Sequence, residues 1–329
     1  MNPSIRMAVI LLTILLFVGC AGPRITLFSD ASDPLRETIL EGAAADKVLL
    51  VPITGIITDS PDRGVVRTRP SVVQEVVSHL RLAEADDRIK AVLFKIDTPG
   101  GSTTASDLLY HEILLFKQRT GKKVVACMMN LATSGGYYVS LPADLIMAHP
   151  TTVTGSIGVI MMRPEVTGLM QKIGVAVQVN KSGQNKDMGS PFRPTTPVEE
   201  NMLQDLADSL GGRFVDLVQH HRALDDRHLA VIADARVFLA EDAVSVGLVD
   251  KIGYLPDAIA EAKRIAGLDT DARVVVYRRT EYPNDNLYNT LTSGSRADPS
   301  SLVNIGPIGD LLRLDAGFYY LWPQAMGSP

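Results

Sequence analysis

Four short fragments set glycine beside serine or lysine where an apolar run ends or a loop begins. They are "IDTPGGSTTAS" (Ile96–Ser106), "ATSGGYYVS" (Ala132–Ser140), "TVTGSIGVI" (Thr152–Ile160) and "KSGQNKDMGSP" (Lys181–Pro191). Serine and lysine together can do nucleophilic chemistry. A serine hydroxyl attacks poorly until a base takes its proton. A lysine is such a base only when neutral, so its reference pKa of about 10.4 must fall, as burial away from water makes it do. The oxyanion that follows needs preorganised donors, worth roughly 2.7–4 kcal/mol each. Glycine N–H groups suit that task because no Cβ blocks the approach. Gly101 and Gly135 are such glycines, each at an expected helix start whose dipole favours negative charge. Each fragment alone has an ordinary reading: a serine before two glycines also begins many structural helices.

The elements that must position these residues follow one cycle. "KVLLVPITGII", "IKAVLFKID" and "KKVVACMMN" are near-continuous apolar runs, read as buried strands. Between them, Val72, Val73, Val76, Val77 and Leu80 recur at helical spacing, and "ASDLLYHEILLFKQRTG" predicts an amphipathic helix stopped by Gly121. Ser102, Thr103 and Thr104 are candidate caps for that helix. "DLIMA" and "VAVQVNK" predict further strands, "VTGLMQKIG" a helix, and "VEENMLQDLADSLGGRFVDLVQHHRAL" a long helix with His220 and His221 at its solvated end. Strands apolar on both faces and alternating with helices predict an α/β fold with a largely parallel sheet, whose strand ends are where such folds place their sites.

Composition excludes several classes. A net charge of -5 with dispersed Lys and Arg argues against a nucleic-acid surface. Of the two cysteines, Cys20 and Cys127, neither belongs to a metal-ligand spacing, and the six histidines form no H-E-x-x-H, so no metal or other cofactor is expected. Cys127 lies mid-strand and reads as a small buried hydrophobe. At the N-terminus, Arg6 precedes eleven apolar residues, Ala8 to Val18. At about 1.5 Å per residue that is too short for a hydrocarbon core of roughly 30 Å, so residues 1–19 read as a signal peptide. "FVGC", Phe17 to Cys20, resembles a bacterial lipobox, which implies acylation of Cys20 and a membrane-anchored lipoprotein facing the periplasm or exterior. Residues 20–46 read as a tether, 47–267 as the main domain, and 268–329 as a C-terminal strand with the aromatic tail "GFYYLWP". That tail packs on its own domain, on a neighbouring subunit or in a substrate groove.

In order and spacing the four fragments resemble the signal peptide peptidase A family, Ser/Lys proteases on a ClpP-like, crotonase-like fold of repeated ββα units. The resemblance covers roughly Lys47 to Gly267. It places the nucleophile on Ser134 in "TSGGYY", and the general base on Lys186 in "SGQNKD", 52 residues later. It also implies a lysine-holding role for Ser156 in "TGSIGV" and an oxyanion N–H at Gly101 in "PGG"; Thr98 stands where a serine is common. A Ser-His-Asp scheme on the same fold would need a histidine after Ser134, but that region reads "TGSIGVI" and the nearest histidine, His149, reads as a strand-end residue. Each motif occurs once, without internal repeat, as in the short single-domain members. For these the resemblance implies a ring- or dome-shaped homo-oligomer in which one subunit's lysine completes its neighbour's site. The implied substrates are apolar peptides, signal peptides above all, with small or apolar side chains in shallow pockets. The rival from another class is a lipid-anchored scaffold that kept the fold and lost turnover.

Overall fold

The computed structural model describes residues 33–63, 68–282, 285–289 and 317–325. The signal segment and Cys20 lie outside the described residues. In chain order the elements are β1 (Arg36–Glu41), β2 (Lys47–Thr54), β3 (Asp62–Arg63), β4 (Thr68–Arg69), α1 (Val72–Ala85), β5 (Ile89–Thr98), β6 (Gly100–Ser102), α2 (Thr103–Thr120), β7 (Lys123–Thr133), α3 (Gly135–Ser140), β8 (Leu145–Ala148), β9 (Val153–Gly155) and β10 (Ile160–Met162). There follow α4 (Thr167–Ile173), α5 (Pro197–Arg222), α6 (Asp226–Ile232), β11 (Val237–Leu239), α7 (Ala240–Ser245), β12 (Lys251–Ile252), α8 (Leu255–Ile265), β13 (Arg273–Arg278) and β14 (Gly317–Leu321).

The main sheet runs β1-β13-β2-β5-β7-β8-β12, with β9 also on β7 and β11 on β9. The pairs β13–β2, β2–β5, β5–β7, β7–β8, β8–β12 and β7–β9 are parallel; β1–β13 and β11–β9 are antiparallel. The largely parallel α/β class expected from the apolar runs is the class observed. Its cause is visible in β5 and β7. Val92, Phe94 and Ile96 join the core beneath α1 and α2, while Ala91 and Leu93 join the core beneath α8. Val124, Ala126 and Met128 repeat the first pattern, and Val125 and Cys127 the second. With both faces covered, neither strand can alternate with polar residues. Ser102 caps α2, accepting from Ala105 N at 3.4 Å, and Gly121 ends it at φ 65°. Cys127 is fully buried, and burial pushes its thiol up to about 12.

Three expectations differ from the structure. Residues 20–46 were set apart as a tether and 268–329 as a terminal strand and tail. Within them, β1 pairs with β13, and β13 lies between β1 and β2 in the main sheet. The short stretch "RETILE" is polar because it is an edge strand with one face in solvent. "VAVQVNK" is not a strand: Val175, Val177 and Val179 keep strand-like alternation but are about half exposed, at 50%, 46% and 51%. A period of two needs a partner strand to become sheet, and none of the described residues supplies one. His221 is half-buried rather than solvated, its Nε2 2.8 Å from the Tyr110 hydroxyl. Among the described residues, no helix is long and apolar enough to cross a membrane, and no cluster of His, Cys, Asp or Glu is arranged to hold a metal ion.

Phe94, 1% exposed at the centre of β5, anchors the helix-covered face. Phe94→Ala is expected to lower unfolding free energy by about 3–5 kcal/mol, measured by urea denaturation.

Candidate active site

Ser134 follows the last residue of β7 and precedes α3. Its backbone sits at φ 52°, ψ -113°, a conformation that costs a non-glycine residue on the order of 1–3 kcal/mol. Two hydrogen bonds hold it there: Ser134 N donates to Gly155 O at 2.7 Å, and Tyr138 N donates to Ser134 O at 2.9 Å. The Ser134 Oγ is buried and has no hydrogen-bond partner. A buried hydroxyl without a partner costs free energy. A strained turn that creates one is a candidate functional device.

The turn after β5 lies against this serine turn. The Thr98 hydroxyl donates to Gly55 O and accepts from Gly100 N at 3.1 Å, which pins the Thr98–Gly101 bend. A Cβ on Gly100 would lie 2.7 Å from Gly135 N, and one on Gly135 would lie 3.0 Å from Gly100 Cα. Gly100, the neighbour in sequence of Gly101, therefore lies against Gly135 beside the serine turn. Gly101 has no room of its own: a Cβ there would overlap the Ile57 carbonyl oxygen and come 2.6 Å from Ile57 N.

Ser156 is placed nearby through the backbone. It follows Gly155, the acceptor for Ser134 N, and sits at φ 53° with its own N donating to Arg236 O at 2.7 Å. Lys186 is not brought to Ser134. It lies exposed in the turn from Gly183 to Gly189, and Lys186 N donates to Gly183 O at 3.1 Å. An ion network builds that arm. Asp187 Oδ1 takes Lys181 Nζ at 2.7 Å and Arg193 Nη2 at 2.8 Å, while Arg193 Nη1 reaches Glu199 Oε2 at 2.8 Å. The hydrogen bonds from Arg193 and Lys181 hold the Asp187 carboxyl well below the usual carboxylate range. His149 belongs elsewhere, beside Lys95, Asp97, Asn130 and Tyr288 in a cavity of about 300 Å³, its Nδ1 2.9 Å from the Thr151 hydroxyl.

Sequence reasoning missed the aromatic wall of this site. Tyr138 on α3 donates to Asp107 Oδ1 at 2.6 Å, and Arg213 from α5 reaches the same oxygen at 2.7 Å. Burial, and then the Asp107 carboxylate, push the Tyr138 hydroxyl far up. Nothing local in the sequence connects the second tyrosine of "SGGYY" to Asp107 or Arg213. Of the places open to the aromatic tail, β14 takes one on its own domain, paired to β6.

A buried serine on a sharp turn at the end of a parallel strand, with glycine N–H groups beside it, is the arrangement of serine-nucleophile α/β hydrolases. The chain belongs to peptidase family S49 and is a serine-type peptidase: residues 116–269 match that family's sequence profile, and similarity to relatives over about three quarters of the chain agrees. It is 33% identical over 252 residues to a protein of Enterococcus faecium named as a signal peptide peptidase SppA, covering 77% of this chain and 73% of that one. It is 34% identical over 260 residues to a protein of Synechocystis sp. named as a protease, covering 79% of this chain and 88% of that one. Among solved structures it is similar to the 1510-N membrane-bound stomatin-specific protease, with TM-score 0.40 and 17% identity, covering 70% of this chain and 89% of that one.

Gly101→Ala should force β6 away from Ile57. The expected outcome is a loss of about 1–3 kcal/mol in stability together with loss of peptide hydrolysis, checked by thermal denaturation and a peptidase assay on the same preparation.

Proposed function

We propose that Ser134 is the nucleophile and Lys186 the general base of an endopeptidase working through an acyl-enzyme. The observation that carries this reading is the Ser134 hydroxyl itself, held partnerless on a strained turn beside two glycine backbones. In the first half-reaction Ser134 Oγ bonds to the scissile carbonyl carbon while its proton passes to the Lys186 amine. The N–H groups of Gly101 and Gly135 take the oxyanion, and the lysine returns the proton to the leaving amine. In the second, water attacks the ester, Lys186 takes its proton, and Ser134 is restored. Ser156 holds the amine in line by a hydrogen bond.

Within one chain Lys186 is exposed and the Ser134 hydroxyl has no partner, and on this reading the site is completed between subunits of a homo-oligomer. The arm that carries Lys186 exposes Leu169, Ile173, Val175, Val177, Val179 and Phe192, between 46% and 64% each. An apolar run of that length on an otherwise charged surface is what a neighbouring copy would cover. Burial at that contact also favours the free amine that a lysine base requires. The name of the Enterococcus faecium relative supports signal peptides as the substrate class, and misfolded exported proteins are a second proposed source. The enzyme is a lipoprotein tethered to the bacterial envelope through acylated Cys20.

Ser134→Ala and Lys186→Ala should each abolish hydrolysis of an apolar peptide. Mixing the two inactive variants before assembly should restore about a quarter of wild-type activity if subunits exchange at random. A lysine variant with full activity would sink the dyad, and mixtures that stay inactive would place both groups in one chain. A scaffold without turnover would resist labelling by a serine-reactive phosphonate. Separately, Cys20→Ser is expected to move the protein from the membrane fraction to the soluble fraction, followed by immunoblot of the two. An unchanged distribution would remove the lipid anchor.

A further inference from the structure

Lys95 breaks the apolar pattern of β5. Side chains alternate along a strand, and Lys95 shares the α8-covered face with Ala91 and Leu93. In register it stands between Pro52 of β2 and Cys127 of β7. The surroundings are apolar, yet this lysine is only 7% exposed. Burial, and then the charge of Arg278, hold its amine below the usual lysine range. A lysine ammonium has three N–H donors. One goes to Leu287 O at 2.8 Å, and Nζ lies 5.9 Å from the centre of the Tyr288 ring. Among the described residues Lys95 has no further hydrogen bond and no ion pair.

This lysine lines the cavity of about 300 Å³ that also holds His149, at the lower end of the size range of small-molecule sites. Pro52, Lys95 and Met129 place the cavity toward the C-terminal ends of β2, β5 and β7, and His149 lies just past β8. Such strand ends are where parallel α/β sheets bind ligands. The cavity and Ser134 lie on different faces of the sheet. Leu93 and Met129 pack in the core beneath α8, whereas Tyr137 and Tyr138, just after Ser134, belong to the core beneath the other helices. One rim of the cavity, residues 285–289, is fixed by a buried ion pair in which Arg278 Nε donates to Asp285 Oδ2 at 2.7 Å.

The lining selects a ligand chemistry. Pro52, Met129 and Tyr288 offer apolar surface, and Lys95 offers a cation. His149 adds a donor. Thr151 N donates to His149 Nδ1 at 3.3 Å, and a backbone N–H can only donate, so the neutral ring carries its proton on Nε2. Asp97 lines the same cavity two residues beyond Lys95, its Oδ1 accepting from Leu131 N at 3.1 Å. A doubly charged anion would be repelled by that carboxylate. A singly charged carboxylate with an apolar body can face Lys95 and rest on the methionine and the ring. A peptidase makes such molecules, because every cut leaves a fragment with a new C-terminal carboxylate.

We infer that this cavity is a second ligand site, separate from Ser134, which holds the C-terminal carboxylate of a short peptide on Lys95 and the last side chain against Met129 and Tyr288. The carboxylate supplies the counter-charge that no described residue brings within ion-pair distance of the amine. The cavity has room for the last one or two residues of a chain, so the site reads a peptide end and not an internal segment. The site does not depend on which residue is the nucleophile or the base.

The test uses the full chain bearing Ser134→Ala and isothermal titration calorimetry. The probes are acetyl-Ala-Leu with a free carboxylate, acetyl-Ala-Leu-amide, and acetate. The free acid should bind, and the amide and acetate should each bind about tenfold more weakly or worse. Adding Lys95→Met should weaken the free acid by about tenfold or more. Tyr288→Ala, at an exposed position, should weaken it roughly threefold, and it decides the matter if Lys95→Met does not melt cooperatively. With Ser134 intact, Lys95→Met should cleave a fluorogenic peptide at the wild-type rate. Equal binding of acid and amide would overturn the carboxylate, and acetate as tight as the peptide would overturn the peptide end. Free-acid binding unchanged by both cavity variants would place the peptide elsewhere and overturn the site. A folded Lys95→Met chain that lost hydrolysis together with binding would make the cavity part of the catalytic site and overturn its separateness.

Discussion

The turn after β5 and the turn after β7 touch backbone to backbone, and the site is built on that contact. A methyl group on Gly100 would press on Gly135 N, and one on Gly136 would come within 2.8 Å of Thr98 Cγ2 and 3.1 Å of Thr98 O. The approach is set by the parallel pairing of β5 with β7, which shifts register between Ile96 and Thr98 so that Thr98 faces Ala132. Three consequences follow from the one constraint. The chain can only leave β7 through the strained Ser134 turn. The backbones of Gly100 and Gly135 pack against each other. A third strand carrying a carbonyl can sit over them, as β14 does.

Holding the strain requires a stiff frame. The Ser134 turn is tied to Gly155 at the end of β9, and β9 is itself paired to β7 and to β11. The helices on one face and α8 on the other pack the sheet through largely apolar strands, so little can relax at its C-terminal edge. The arm that bears Lys186 is built on the opposite principle. Its shape comes from Lys181, Asp187, Arg193 and Glu199 rather than from a core, and its apolar side chains face outward. On the proposed reading, the rigid nucleophile and the base on the outward arm meet where a second copy supplies the contact.

Much of this was legible in the residues. The parallel strands announce themselves because burial on two faces erases polar alternation, and Gly121 marks the end of α2 because a left-handed cap favours glycine. Ser134 and Gly101 could be singled out through the family resemblance, and Gly135 because a residue without Cβ leaves its N–H open. Less legible were the elements whose state depends on a distant partner. β1 looked like a tether because an edge strand buries only one face, and its partner β13 is more than two hundred residues away. Val175 to Val179 looked like a strand because alternation describes a surface that wants a partner, not one that has found it.

By itself, the sequence determined the class of fold and the glycine-flanked turns, while the pairing of Ser134 with Lys186 is what the family resemblance implies. Those properties are local: periodicity, turn chemistry and residue type. Only the tertiary structure decided what stands next to what. It set Tyr138, Asp107 and Arg213 into one wall, kept Lys186 away from its own Ser134, and laid Tyr320 opposite Gly101. Such contacts join residues separated by up to hundreds of positions. They are chosen by sheet order and by which surfaces are left to cover, and no local pattern encodes either.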